Sequence, residues 1–203
     1  MAKGLFISFE GGEGAGKTTQ IQRLKAKLAT AGREVVTTRE PGGTAGAEAI
    51  RKLLVEGDAY GWDSHTEALL HFAARRDHVK KIIEPALAKG SIVLTDRFFD
   101  STYAYQGYGQ GLDVSTIDGI RTLSIGALQP DITLLLDLPV ETGLERAAVQ
   151  QRYERMGQSF HQKLRQGFLD MAAKAPDRFT IINAAQALEA VETAIWEAVQ
   201  KRL

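Results

Sequence analysis

Residues 4–20 read GLFISFEGGEGAGKTTQ, and the order of features along them decides the fold. An apolar, strand-like run passes directly into glycines that end in Lys17, Thr18 and Thr19. Behind them Ile21, Leu24 and Leu28 recur at helical spacing until Gly32. Gly11 to Thr18 satisfies G-x-x-x-x-G-K-[ST], and strand–loop–helix is the context in which that pattern holds polyphosphate. Glycines let backbone N–H groups converge on phosphate oxygens, while the following helix offers its positive dipole end. Gly11, Gly12, Glu13, Gly14, Ala15, Gly16, Lys17, Thr18 and Thr19 thus form the expected cradle for a nucleoside triphosphate. Lys17 would neutralise the β and γ phosphates, and the Thr18 hydroxyl would ligate Mg²⁺. Glu13 places a carboxylate inside this anion site, which the motif alone does not explain.

Outward from the loop, apolar runs alternate with helical patterns, the signature of a parallel sheet wrapped by helices. EVVTTR (34–39), SIVLTD (91–96), DITLLLD (131–137) and FTIIN (179–183) read as further strands. Ser64 and Glu67 suggest a capping box, S-x-x-E, at the head of a long helix that bends or breaks at Pro85. Leu188, Val191, Ile195 and Val199 stripe a C-terminal helix. No repeat or linker divides the chain, so residues 1–203 are expected to form a single domain. A polar, arginine-containing stretch around residues 145–158 reads either as a short mobile flap or as a solvated helix face.

Composition narrows the function classes. Lys plus Arg and Asp plus Glu are 25 each, so no basic excess points to nucleic acid. The chain has no cysteine, which removes disulfide, thiolate and cysteine–zinc chemistry and suits a reducing compartment. No apolar stretch is long enough for a membrane span, and a cytoplasmic protein is expected. A guanine-type switch would want N-K-x-D, but the only asparagine, Asn183, is followed by Ala184.

The phosphoryl acceptor is suggested by TDRFFDSTYAYQGYGQG (95–111). Its strand ends at Asp96, at the carboxyl edge of the sheet, where open α/β folds bind ligands. Asp96 can hold a magnesium-bound water, and Arg97 can grip a phosphate through two parallel hydrogen bonds. Thr102 and Gln106 offer hydrogen bonds to a base edge, and Tyr103, Tyr105 and Tyr108 offer rings to stack or to shape a sugar pocket.

With FEGGEGAGKTTQ, TREPGGT, ALLHFAARRDHV, DRFFDSTYAYQGYGQG, LQPDITLLLDLP and RYE together, nearly the whole chain resembles the thymidylate kinase family. The resemblance implies an α/β, three-layer P-loop NTPase fold with a parallel five-stranded sheet, helices on both faces and a homodimeric assembly. It also implies transfer of a phosphoryl group from ATP, with Mg²⁺, to dTMP. Arg39 and Pro41 would then lie at the acceptor phosphate, Arg75 at phosphate and base, and Arg97 at the phosphate as a second clamp. Thr102 and Gln106 would face thymine, Tyr105 would crowd the sugar 2′ position, and Glu13 would face the 3′-hydroxyl. Lys17, Arg97, Glu13 and a flap arginine, Arg152 with Arg146 behind it and Arg155 as a further candidate, would be the catalytic set.

Two positions depart from the family pattern. His71 stands four residues before Arg75, where a thymine-stacking phenylalanine is usual, so either His71 or Phe72 is the platform. A register slip would put Arg76 in place of Arg75. Gly14 stands where some members carry an arginine, which leaves that charge to the flap. The rival activities are a deoxynucleoside kinase, with Glu10 or Glu13 as base, and a P-loop ATPase that drives a protein partner.

Overall fold

The computed structural model describes residues 4–55, 61–147, 153 and 156–203. Five strands form one all-parallel sheet in the order β2-β3-β1-β4-β5. They are β1 (Phe6–Glu10), β2 (Val35–Arg39), β3 (Ile92–Asp96), β4 (Ile132–Asp137) and β5 (Phe179–Asn183). β1 is central, with β3 on one side and β4 on the other, so the chain reverses its direction of sheet-building beside β1. In open α/β sheets such a reversal opens a crevice at the carboxyl ends of the strands.

Strand alternation sends side chains to two cores. Ile7 and Phe9 of β1, Leu94 of β3 and Leu134 of β4 pack with Leu24 and Leu28 of α1 (Lys17–Thr30) and Val191 and Ile195 of α9 (Leu188–Gln200). The opposite face carries Phe6 and Val93 against Phe72 and Val79, from α3 (Ser64–His78) and the turn after it. Fully burying a leucine or phenylalanine side chain contributes about 1.5–3 kcal/mol. The same alternation puts Ser8 and Glu10 on the Phe6 face, and both are completely buried. Ser8 shares a hydrogen bond of 3.0 Å with Thr133 of β4, while Glu10 sits at the strand end beneath the site.

The helix expected to bend or break at Pro85 runs on from α3 without a break, through a widened π turn, Val79–Ile83, into α4 (Glu84–Ala88). Proline is tolerated in the first turn of α4, where its missing N–H costs little. Ser64 does not cap α3. Asp63 does, its side chain accepting from the Thr66 amide at 2.7 Å. Glu67, expected at the third position of a capping box, is fully buried elsewhere. The remaining helices are α2 (Ala45–Val55), α5 (Phe99–Thr102), α6 (Val114–Ile125), α7 (Val140–Arg146) and α8 (Gln158–Lys174), with a second π turn at Tyr103–Gly109. Among the described residues no helix is long and apolar enough to cross a membrane.

Candidate active site

The glycine loop joins β1 to α1. Gly11 has φ +134°, and a Cβ there would lie 2.4 Å from the Leu136 carbonyl oxygen. Gly14 has φ +66°, and its Cβ would meet the Gly143 oxygen of α7 at 2.1 Å. An arginine at this position would therefore need α7 to move, which accounts physically for the glycine. Lys17 folds back over the loop, its Nζ donating to the Gly12 oxygen at 3.0 Å and the Gly11 oxygen at 3.3 Å. Burial and the neighbouring Arg97 push its pKa down. Ala15, Gly16, Thr18 and Thr19 line the same open cavity as Lys17.

Thr18 Oγ1 donates to Asp96 Oδ2 at 3.0 Å, so the hydroxyl and carboxylate expected to hold a cation lie side by side. This is a hard-oxygen pair suited to Mg²⁺. No group of three or more His, Asp or Glu side chains among the described residues could hold a metal. An ion at this pair would thus take its other ligands from phosphate and water, as Mg²⁺ commonly does.

Arg97 is the hinge between two cavities. Among the described residues it is the non-glycine residue with positive φ, 69°, a conformation that costs about 1–3 kcal/mol and must be held by its surroundings. Its guanidinium donates to the Gly11 oxygen at 2.9 Å, Glu13 Oε1 at 3.0 Å and Ser101 Oγ at 3.2 Å, and lies 5.0 Å over the Tyr105 ring. Glu13 also accepts from the Tyr105 hydroxyl at 2.5 Å. Burial alone would raise its pKa, but Arg97, Lys17 and that hydroxyl hold it at about 2. The carboxylate in the anion loop is therefore the counter-charge that fixes Arg97. Beneath it Glu10 accepts from the Phe98 amide at 2.7 Å and Ser101 Oγ at 2.6 Å. Burial and the nearby Asp100 raise its pKa to about 8.

The second cavity lies beyond Arg97. α3 contributes His71 and Arg75, the segment after β2 contributes Glu40 and Pro41, and the segment after β3 contributes Thr102, Tyr105 and Gln106. Glu13, Glu40, Arg51 and Arg97 line both cavities and form their shared wall. Arg75 is 2% exposed, its Nε donating to Glu40 Oε2 at 2.6 Å and its other nitrogens to Thr102 Oγ1 and the Phe98 oxygen at 3.2 Å each. The other oxygen of Glu40 meets His78 Nδ1 at 2.9 Å, and His78 Nε2 lies 2.6 Å from Thr38 Oγ1.

Several sequence expectations meet this geometry differently. Of the two platform candidates, His71 lines the cavity, whereas Phe72 is fully buried in the core with the Arg75 guanidinium 4.6 Å over its ring. Adjacent helix residues point about 100° apart, so one can face the cavity only if the other turns away. Arg76 donates to the Ser124 oxygen of α6 at 2.9 Å and does not line the cavity, which removes the register slip. Of the described tyrosines, Tyr105 and Tyr153 line it. Tyr103 is in the core, its hydroxyl donating to Asp118 at 2.5 Å, and Tyr108 packs against Gly167 of α8.

Arg39 borders the triphosphate side, where one of its guanidinium nitrogens donates to both Glu48 carboxylate oxygens at 3.0 Å, and it stays more than half exposed. Arg146 lines that cavity too, anchored to the Ala184 oxygen at 3.3 Å. Arg152 and Arg155 lie outside the described residues. Sequence reasoning missed Arg51, which donates to the Pro41 oxygen at 2.9 Å. It also missed Glu40 and the partners of His78. Arg51 sits on a helix with nothing local to set it apart, and only the fold brings it to the shared wall.

The geometry is thus a glycine-loop triphosphate cradle backed onto a second cavity across a shared wall. Residues 9–195 match the thymidylate kinase family profile. A curated relative named thymidylate kinase from Caulobacter vibrioides is 52% identical, over 100% of this chain and 99% of its own length. Another from Geobacter sulfurreducens is 46% identical, with 98% of each covered. The crystal structure of thymidylate kinase from Ehrlichia chaffeensis superposes with a TM-score of 0.80 at 40% identity, covering 98% of this chain and 99% of that one. A match that spans sheet, loop and both cavities at this identity leaves one assignment: the chain belongs to the thymidylate kinase family.

Proposed function

We propose that the protein transfers the γ-phosphoryl group of ATP to dTMP, giving dTDP, in a single in-line step. The observation that carries this reading is the shared wall. Two cavities, one built for a triphosphate, meet at Arg51 and Arg97 with Lys17 close by, where two anions must be brought together. A phosphate monoester has a second pKa near 6, so an acceptor of this kind is largely dianionic at neutral pH and needs no strong base. The task for these residues is neutralisation and alignment.

Lys17 and the loop amides hold the donor phosphates, Arg97, with Arg75 near, holds the acceptor, and Arg39 approaches from the triphosphate side. Tyr105 and Thr102 shape the sugar and base side, and Glu13 sets Arg97 and faces the 3′-hydroxyl. Mg²⁺ held by Thr18 and Asp96 would supply charge neutralisation on the donor phosphates. Arg152, or Arg146 as the second choice, completes the proposed catalytic set. The chain works in this reading as a cytoplasmic homodimer, and Leu69 of α3 and Leu123 of α6, at 56% and 87% exposure, are candidates for its apolar contact.

One assay tests the activity: ATP consumption with dTMP, with thymidine, or with no acceptor. dTMP-dependent turnover is expected. Turnover with thymidine but not dTMP would replace this reading with a deoxynucleoside kinase, and acceptor-independent hydrolysis would replace it with an ATPase. Sedimentation velocity reads the assembly, and a monomer at assay concentration would remove the homodimer.

A further inference from the structure

At the end of the acceptor cavity away from the phosphate loop lies a buried polar cluster for which the phosphate chemistry has no use. Glu67 of α3 is fully buried, and its Oε2 accepts from Gln110 Nε2 at 2.8 Å, Gln106 Nε2 at 3.0 Å and the Tyr153 hydroxyl at 3.2 Å. Gln106 Nε2 also reaches the Tyr153 oxygen at 3.4 Å. Glu67 and His71 stand four residues apart on α3, as do Gln106 on the second π turn and Gln110 at its C-terminal cap, so the cluster and the cavity wall share the same two faces.

This cluster decides which way the Gln106 amide points. The oxygen and nitrogen of an amide are assigned from their surroundings, and here the surroundings permit one answer. With Glu67 as a carboxylate, an oxygen already receiving other donors is met by the NH₂ end, because the flipped amide would set two acceptors 3.0 Å apart. The carbonyl, Gln106 Oε1, is left buried with no hydrogen-bond partner, although the residue lines the acceptor cavity. A buried acceptor in this condition is destabilising until a donor reaches it.

A ligand that relieves this cost must bring a donor. If a nucleoside monophosphate seats its base here, as the proposed function requires, thymine and uracil carry an N3–H, whereas cytosine presents a lone pair at N3. We propose that Glu67 is a specificity-determining positioning residue. By clamping the Gln106 amide in one orientation it makes the cavity take pyrimidine monophosphates with an N3–H and refuse those with a bare N3. Sites whose buried polar groups are left unpaired by the wrong substrate discriminate strongly.

The test compares kcat/KM for dTMP, dUMP and dCMP, with ATP, in the unmodified protein and in Glu67→Gln. The unmodified protein should prefer dTMP and dUMP to dCMP. In Glu67→Gln the new amide can itself donate, Gln106 can turn, and the dTMP:dCMP ratio should fall by about tenfold or more. A ratio within twofold of the original in a folded variant overturns the proposal and leaves the activity untouched. Failure of the unmodified protein to use dTMP would instead overturn the proposed function and, with it, the basis of this inference. Should the variant not fold, a crystal structure of the unmodified protein with dTMP decides. N3 within hydrogen-bond distance of Gln106 Oε1, with Nε2 still on Glu67, supports the proposal; N3 against any other group overturns it.

Discussion

The phosphate loop and the acceptor cavity share a wall but are built by opposite means. The loop is contiguous backbone, with its glycines freed by positive φ and its lysine turned back onto Gly11 and Gly12. The cavity is side chains from α3 and from the segments after β2 and β3, held by the buried chain Thr38–His78–Glu40–Arg75–Thr102. A site of peptide groups is encoded where it stands. A site of side-chain networks depends on partners that the fold delivers, so the two should fail differently when altered.

The largest effects come from the two cations. Lys17→Ala should lower kcat by on the order of 10²–10³ with the dTMP KM little changed, because it removes a donor aimed at developing charge. Arg97→Ala should lower kcat/KM for dTMP by a similar order while ATP binding, read by calorimetry, is nearly kept. If either substitution weakened both substrates equally, the division into two sites would collapse.

A smaller loss should follow from breaking the side-chain chain alone. Glu40→Gln leaves the Arg75 guanidinium buried without its counter-charge, and removing one partner of such a pair costs about 3–5 kcal/mol. The urea midpoint should fall, and the dTMP KM should rise about tenfold while the ATP KM stays put. An unchanged dTMP KM would show that Arg75 keeps its place without Glu40.

The smallest effect belongs to the residue that serves both sides. Glu13 has its pKa held at about 2 against an ordinary 4.5. Below pH 4.5 the unfolded chain takes up a proton there before the folded one does. The stabilisation is therefore complete above pH 4.5 and is lost as pH falls toward 2. Urea midpoints between pH 5 and 3 should fall less steeply in Glu13→Gln than in the unmodified protein. Parallel curves would mean that Arg97 does not depend on Glu13 for its charge balance.

The legibility of the molecule follows the same division. Each strand could be placed to within two residues; in β1, β3 and β4, buried on both faces, the signal is a nearly continuous apolar run. Lys17, Thr18 and Asp96 could be placed from their position at strand ends. Glu67 could not: S-x-x-E read as a local cap, but Asp63 takes that role and Glu67 turns inward to Gln106 and Gln110. Phe72 and Tyr103 were plausible ring platforms by type, and packing drew both into the core. Nothing beside His78 in the chain marks its partners, Glu40 and Thr38, which come to it from β2 and the residue after it.

By itself, then, the sequence determined the parallel sheet, the triphosphate loop and the family, since these rest on period, glycine placement and contiguous motifs. The tertiary structure alone decided that His71 rather than Phe72 faces the cavity, that Arg51 joins the shared wall, and that Glu67 orients Gln106. The physical reason is range. Backbone conformation and strand alternation are set by neighbours in the chain, whereas the pairing of a buried charge or amide is set by whichever group the folded core places within about 3 Å.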